Sequence, residues 1–209
     1  GLTGIVDGLP AGLTIDSAAI NEDLRRRQGG YGRGGRQRIE QDQAEFVGGV
    51  FGGKTIGAPV AIHVENKDWP NWKDKVVAPW YVPRPGHADY AGRIKYEIED
   101  MRLVAERASA RETAMRVAVG GLAKLLLREF GIRVGSFVVE IGGVAMPMPD
   151  GVPLEELFNR AEESDVRCPD PDWSEQMHAR IRETMSRRDT VGGIFVVTAT
   201  GVPIGLGSH

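Results

Sequence analysis

The feature that most constrains the fold is a long amphipathic segment between residues 109 and 130. Apolar residues recur along it at helical spacing, at positions 114, 117, 118, 122, 125 and 126, and this period predicts a helix. Ser109 and Glu112 have the spacing of a capping box, which satisfies the first backbone amides of a helix. Gly131 after the last turn is a typical C-cap. We therefore expect one helix over residues 109–130 with a defined start and end.

An arginine cluster surrounds the start of this helix. Arginines occupy positions 84, 93, 102, 107, 111 and 116, and the guanidinium fork suits phosphate and carboxylate groups. Arg107 precedes the expected cap and Arg111 lies in the first turn, where free N–H groups and the helix dipole attract anions. The pattern predicts a site for a phosphorylated ligand. It leaves open a simpler explanation, in which the arginines only solvate one face of a buried helix.

His87 is the best candidate for proton transfer, because a histidine can give or take a proton near neutral pH. It is flanked by prolines, Gly86 and arginines, so it belongs to a loop of the kind that often carries functional residues. The other histidines lie in a strand-like run, on a polar helix and at the last position: His63, His178 and His209. The residues alone leave one alternative open, a loop histidine that is hydrogen-bonded to Asp89.

The remaining chain mixes short strands with helices. Strands are expected over residues 2–6, 44–51, 58–64, 133–141 and 194–200, and further helices over 16–27 and 174–188. The arginine-rich stretch before residue 109 is expected to be loop, and residues 146–172 to be irregular. Met177 and Met185 form a stripe that is typical of core packing. This order predicts an α+β fold rather than a regular βαβ series, in a single domain over residues 1–209.

Composition excludes several classes of partner. Lys and Arg number 26 against 29 Asp and Glu, giving a net charge of −3, which argues against nonspecific nucleic-acid binding. Cys168 is the one cysteine, and no paired metal-ligand spacing occurs, which favours a reduced cytoplasmic setting without a metal. No apolar run approaches the roughly 20 residues that span a bilayer, and the first residues show no signal peptide. We expect a cytoplasmic protein with neither nucleic-acid nor membrane partners.

Several motifs in a fixed order resemble those of the chorismate synthase family. They occupy residues 6–12, 30–34, 50–59, 84–90, 107–119 and 201–208. A set of long motifs is far more specific than a single glycine pattern. The resemblance implies a layered β-α-β sandwich, with helices packed between β layers, and a homotetramer.

The resemblance also implies a reaction. In this family 5-enolpyruvylshikimate 3-phosphate loses phosphate and a ring proton by an anti-1,4 elimination, and chorismate is the product. The reaction is redox-neutral but needs reduced FMN, which is thought to lend an electron to the substrate and to recover it. The residues leave open whether NADPH or a separate reductase reduces the flavin.

Site residues are carried over from the family by position. His87 corresponds to a histidine that is thought to protonate the reduced flavin. The flavin-binding candidates are Arg107, Ala108 and Ser109. Arg27 and Arg33 match a pair that is usually assigned to binding a nucleotide cofactor or the anionic groups of the substrate. The position of Arg27 is open by one residue, because it ends a run of three arginines. Arg84 and Arg111 are expected to bind the anionic groups of the substrate.

The family pattern extends beyond both ends of this sequence. The family opens with a Gly-Glu-Ser-His-Gly motif that supplies a second catalytic histidine, and it continues past residue 209 for a comparable half. We therefore expect an N-terminal-half fragment, and one alternative is that this fragment is catalytically inactive. A weaker alternative makes residues 30–36 an arginine-glycine RNA-binding segment, in which Tyr31 is the one aromatic residue.

Overall fold

The computed structural model describes residues 1–32 and 41–208, and the prediction of an α+β fold is confirmed. The chain divides into two compact units. The first contains Gly1–Leu24 and Ile39–Gly120, and the second contains Arg25–Arg38 and Gly121–His209. Among the residues that the structure describes, no helix combines the length and the apolarity that crossing a membrane requires.

The first unit contains a three-stranded antiparallel sheet in the order β1-β5-β2, formed by β1 (Leu2–Val6), β2 (Ala44–Gly48) and β5 (Val60–Val64). Alternate residues of β5 are fully buried, as the period of two in a half-buried strand requires. Two short strands, β3 (Val50–Phe51) and β4 (Lys54–Thr55), pair separately. The first helix, α1, begins in this unit and covers Ser17–Gln28.

The strand predicted over residues 44–51 is interrupted between β2 and β3. Gly49 lies at the break with a φ of 78°, a left-handed conformation that favours glycine. A Cβ atom at this position would lie 2.4 Å from the carbonyl oxygen of Pro59. The break therefore depends on a residue without a side chain, and the prediction of one continuous strand was wrong.

Two helices replace the loop predicted before residue 109. They are α2 (Asp89–Tyr96) and α3 (Met101–Arg107), and a 3₁₀ turn at Trp69–Asn71 precedes them. Both helices are too short to show a clear apolar period, which explains the missed assignment. Asp100 caps α3 by accepting a hydrogen bond from the Arg102 N–H at 3.0 Å. The two helices pack closely, because Gly92 of α2 faces the side chain of Val104 of α3.

The long helix is observed as α4 (Glu112–Glu129). It begins three residues later than predicted, since residues 109–111 form a turn in which the Glu112 N–H donates to the Ser109 carbonyl at 3.0 Å. The capping box is only half present. The Ser109 hydroxyl accepts from the Arg111 N–H at 3.3 Å, but the reciprocal bond from Glu112 was predicted wrongly, because the Ser109 N–H donates to the Glu106 carbonyl and the Glu112 carboxylate accepts from Arg116. The C-cap is confirmed, because Gly131 is left-handed with a φ of 70°.

The second unit contains another antiparallel sheet, in the order β7-β6-β8. Its strands are β6 (Arg133–Ile141), β7 (Val144–Ala145) and β8 (Gly193–Thr200). Helix α5 (Leu154–Glu162) packs Leu157, Phe158 and Ala161 against Phe137 of β6. This helix lies within residues 146–172, so the prediction of an irregular segment was wrong there.

The last helix, α6 (Pro171–Ser186), begins at an Asp170 cap followed by proline at its first position. Met177 on this helix is fully buried in a cluster with Met146, Val166 and Cys168. Met185 is 56% exposed. The prediction that the methionine stripe packs in the core therefore holds for Met177 but not for Met185.

The close packing of α2 on α3 can be tested with an alanine at Gly92. The new Cβ would lie 2.2 Å from Cγ1 of Val104, a stiff, buried side chain. We expect Gly92→Ala to lower the free energy of unfolding by about 1–3 kcal/mol in urea denaturation. Gly120→Ala is the matched control, since this exposed helical glycine has no neighbour within 4 Å of its Cβ position. The control should raise stability by up to about 1 kcal/mol, and equal effects of the two changes would contradict the packing.

Candidate active site

Arg84, His87 and Asp89 form one hydrogen-bonded cluster at the start of α2. Asp89 is the first residue of this helix and its side chain has 0% exposure. Its Oδ2 accepts from the backbone N–H and from Nε–H of Arg84, both at 2.9 Å, and its Oδ1 accepts from Nη2 of Arg84 at 2.9 Å. Nδ1 of His87 lies 3.1 Å from the same Oδ1. The motif at residues 84–90 therefore folds around a buried carboxylate.

The segment that carries Arg84 is tied to α3. The Trp80 N–H donates to Asp100 at 2.9 Å, and the Trp80 carbonyl accepts from the Met101 N–H at 2.9 Å. The Arg84 guanidinium carbon lies 5.1 Å from the centre of the Trp80 ring, within the range of a cation–π contact. Trp80 thus connects Arg84 to the first turn of α3.

The electrostatics of the cluster favour the ionised pair. Hydrogen bonds from the side chain and the backbone of Arg84 hold the pKa of Asp89 well below its usual range. The side-chain hydrogen bond with Asp89 raises the pKa of Arg84 in turn. A carboxylate that accepts several such bonds is strongly stabilised in its charged form. Asp89 therefore stays ionised and Arg84 is held in a fixed orientation.

His87 is 35% exposed, and its Nδ1 faces two groups of opposite character. Nη2 of Arg84, a donor, lies 3.1 Å from Nδ1, and Oδ1 of Asp89, an acceptor, lies at the same distance. The contact with Asp89 that the simpler alternative expected is therefore present. It is compatible with catalysis, since a histidine that is oriented through Nδ1 can still exchange a proton at Nε2.

Arg107, Ala108 and Ser109 lie at the end of α3, of which Arg107 is the last residue. The Arg107 guanidinium carbon lies 4.7 Å from the centre of the Tyr96 ring. Hydrogen bonding from Arg107 lowers the pKa of the Tyr96 hydroxyl. Tyr96 is the last residue of α2. The structure therefore brings the Arg107 segment and the His87 cluster onto a pair of helices that are in contact.

Arg111 lies in the turn before α4 and is mostly buried, with 14% exposure. Its Nη2 donates to Oδ1 of Asp42 and to the Glu65 carbonyl, each at 2.8 Å. Asp42 is itself buried. Arg111 thus joins the start of α4 to the segments before β2 and after β5, a structural role that the sequence pattern did not predict.

The two candidates for binding a nucleotide cofactor or a substrate anion, Arg27 and Arg33, do not belong to this group of residues. Arg27 lies in the last turn of α1, in the part of this helix that belongs to the second unit. Arg33 falls outside the residues that the structure describes. The other candidates, Arg84, His87, Arg107, Ala108, Ser109 and Arg111, all belong to the first unit.

Sequence reasoning missed the residues that hold the arginines. Asp89 entered only as a partner for His87, although it binds Arg84 through both carboxylate oxygens. Its position two residues after the histidine and five after the arginine was the available signal. Asp42 is 69 positions from Arg111, and no local pattern relates them.

The comparisons with known proteins agree with one another. The family model of chorismate synthase matches residues 1–209. The chain belongs to the chorismate synthase family. It is 48% identical to chorismate synthase from Enterococcus faecalis over 219 residues, and 51% identical to that from Symbiobacterium thermophilum over 223 residues. Both alignments cover 100% of this chain.

A solved structure of chorismate synthase gives the same result for the fold. It matches with a TM-score of 0.79 and 40% sequence identity over 99% of this chain. The chain spans 56% of that structure and 56–57% of the two relatives, so it corresponds to about half of a chorismate synthase. The resemblance found in the sequence motifs is therefore confirmed at the level of the family.

The described residues fit an anionic cofactor such as reduced FMN, which this family is expected to use. Arg84 and Arg111 are paired with the carboxylates of Asp89 and Asp42. Within the described part of the chain, Arg107 has an aromatic hydroxyl rather than a carboxylate as its partner. Its charge is thus the least neutralised of the three, which suits it to a phosphate group.

The buried pair predicts a specific acid sensitivity. Because the folded state depresses the Asp89 pKa, the pair stabilises the protein fully above the unfolded pKa of about 3.9, and this contribution is lost as the pH falls below it. Asp89→Asn removes the titration and retains the shape. In urea unfolding, the stability difference between wild type and variant should shrink as the pH falls below about 4. A difference that persists unchanged to about pH 3 would contradict the depressed pKa.

Proposed function

We propose that the protein to which this chain belongs is an active chorismate synthase. It converts 5-enolpyruvylshikimate 3-phosphate to chorismate and phosphate by anti-1,4 elimination, with reduced FMN. The observation that carries this proposal is the Arg84–His87–Asp89 cluster, on a helix pair that also presents Arg107. Family membership over the whole chain supports it. Its class is a lyase of the shikimate pathway, which supplies aromatic amino acids.

Arg107 and Ser109 are the described residues best suited to hold the cofactor. Reduced FMN, when bound, supplies an electron that eases cleavage of the substrate's C–O bond. Arg107 is exposed at the end of α3 and offers a charged fork, and the small residues Ala108 and Ser109 follow it directly in the chain. We include Arg27 and Arg33 as further contacts for the nucleotide cofactor or the substrate's anionic groups, on the family correspondence. NADPH or a separate reductase is the source of the reducing equivalents.

His87 is the proposed proton donor to the bound cofactor. It is partly exposed, and its Nδ1 edge is held by Arg84 and Asp89, which leaves Nε2 for proton exchange. General acid catalysis of this kind contributes about 10²–10⁴-fold to a rate. The fixed position of the ring is what such a role requires.

Arg84 and Arg111 are the proposed contacts for the anionic groups of the substrate. Arg84 uses Nε and Nη2 on Asp89, and its Nη1 is directed to neither oxygen of that carboxylate. Arg111 brings a second guanidinium to the turn before α4. Because each arginine is paired with a buried carboxylate, its orientation is fixed before the substrate binds, which lowers the entropic cost of binding.

We also propose the wider setting that the family resemblance implies. The assembly is a homotetramer in the cytoplasm, and residues 1–209 form part of one domain with helices between β layers. The substrate is a small molecule, with no nucleic-acid or membrane partner. The net charge of −3 supports the absence of a nucleic-acid partner.

Two alternatives are distinguished by one assay. The protein is purified, its intact mass is compared with 22.7 kDa, and phosphate release is followed anaerobically with chemically reduced FMN. Flavin-dependent release supports the proposed function. A polypeptide of only these 209 residues that releases no phosphate would be an inactive fragment. Binding of RNA without phosphate release would favour the arginine-glycine alternative.

Removing the proposed proton donor tests the role of His87. In the full-length protein with chemically reduced FMN, we expect His87→Ala to lower kcat by about 10²-fold or more. His63→Gln is the control, because His63 lies in β5 and contacts Thr3, outside the proposed site. Normal turnover by His87→Ala would overturn the assignment.

Removing the proposed cofactor contact tests the role of Arg107. Hydrogen bonds to charged groups contribute about 1.5–3 kcal/mol, so we expect Arg107→Ala to weaken reduced FMN binding by about 10–100-fold in anaerobic titration. Arg133→Ala is the matched control, since Arg133 is an exposed arginine paired with Glu155 in the second unit. An equal loss in the two variants would remove the support for a flavin contact at Arg107.

A further inference from the structure

The buried carboxylate of Asp89 has a definite set of hydrogen-bond needs. An ionised carboxylate has about four acceptor positions. Within the described chain, Arg84 fills three of them, two on Oδ2 and one on Oδ1, and His87 faces the remaining position on Oδ1 at 3.1 Å. Asp89 has 0% exposure, so water does not replace a missing donor there.

The same geometry allows Nδ1 of His87 to act either as a hydrogen-bond donor or as an acceptor. If Nδ1 carries the proton, it donates to Oδ1 of Asp89. If Nδ1 carries the lone pair, it accepts from Nη2 of Arg84, also at 3.1 Å. The two cases are the two neutral tautomers of the ring, and they put the free lone pair on different nitrogens.

Burial decides between the tautomers. With the lone pair on Nδ1, the fourth acceptor position of Asp89 is left without a donor, and Nδ1 and Oδ1 face each other with lone pairs. With the proton on Nδ1, one hydrogen on Nη2 of Arg84 loses its partner instead. The Arg84 side chain is 42% exposed, so water can accept that hydrogen. A buried unsatisfied acceptor costs more than a hydrated donor.

We propose that Asp89 is a positioning residue that holds neutral His87 in the tautomer with the proton on Nδ1. Nε2 is then the atom that exchanges a proton. The protonated ring gives the Nε2 proton to its acceptor, the neutral ring keeps the Nδ1 proton on Asp89, and solvent returns a proton to Nε2. The use of Nε2 in catalysis rests on the proposed function, whereas the tautomer itself does not.

Substitution by asparagine should reverse the tautomer. The backbone N–H and Nε–H of Arg84 both point at the Oδ2 position, so in Asp89→Asn the amide oxygen of the new side chain is drawn to that side. Its NH₂ group then occupies the Oδ1 position, where it can only donate to Nδ1. His87 would become the tautomer with the proton on Nε2. In the serine protease triad, the corresponding change leaves the geometry intact but lowers kcat by about 10⁴-fold, because the tautomer is wrong.

The test is nitrogen NMR of the full-length protein labelled with ¹⁵N in its histidine rings, over a pH series. Long-range couplings show which ring nitrogen carries the proton in the neutral form. We expect Nδ1–H for His87 in wild type and Nε2–H in Asp89→Asn. Nε2–H in the wild-type protein would overturn the proposal, and that measurement needs no variant. An unchanged tautomer in a folded Asp89→Asn would overturn it as well.

Two internal controls accompany the spectra. Glu155→Gln removes another carboxylate that pairs with an arginine, Arg133, in the second unit, so the His87 tautomer should not change. The His178 signals provide a reference within each sample, because both ring nitrogens of this residue face carboxylates, on Asp165 and Glu175. A tautomer change in Glu155→Gln equal to that in Asp89→Asn would count against a specific role of Asp89.

Turnover measurements separate this inference from the proposed function. With chemically reduced FMN, Asp89→Asn should lower kcat by at least about 10²-fold, while KM changes less because Arg84 keeps two of its bonds. Wild-type protein without turnover but with the expected tautomers would overturn the proposed function alone. Active wild-type protein with Nε2–H on His87 would overturn the inference alone.

Discussion

A carboxylate without solvent exposure has to be neutralised, and this requirement organises the candidate active site. Asp89 is completely buried at the start of α2, where the charge would be costly without a partner. Arg84 meets the requirement with both its backbone and its side chain. The short chain between the two residues is thereby closed into a loop, and His87 is carried on it. The position of the histidine is a consequence of satisfying the aspartate.

Arg84, Arg107 and Arg111 all belong to the arginine cluster of the sequence, but their surroundings in the structure differ. Arg84 and Arg111 each serve a buried carboxylate, so they contribute to the fold as well as to any ligand. Arg107 stacks on Tyr96 at the surface and keeps more of its charge available. The arginine cluster is therefore neither a purely solvated face nor a uniform anion site. Of these three arginines, two form structural pairs and one, Arg107, is an exposed cation.

The fold and the site were predictable to different degrees. Strands β1 and β6 have the predicted bounds, since both are rich in β-branched and aromatic residues, which favour strands. Helices α2, α3 and α5 were missed, because seven to nine residues give too few turns for a period to emerge. His87 and Arg84 could be named from a local motif, whereas the partnership of Arg111 with Asp42 depends on tertiary contacts that no spacing encodes. The expected roles of these residues in binding and proton transfer come from the family resemblance, because the residue pattern alone left alternatives.

The contact between Gly92 and Val104 has a consequence for how sequences of this family can vary. The two residues share a volume that is already filled, so neither position can accept a larger side chain by itself. A sequence with alanine at 92 should have a smaller residue at 104, and the pair should show correlated change across an alignment of relatives. The α2–α3 contact lies between the His87 and Arg107 motifs. Such covariation would therefore indicate that selection keeps these two motifs at a constant separation.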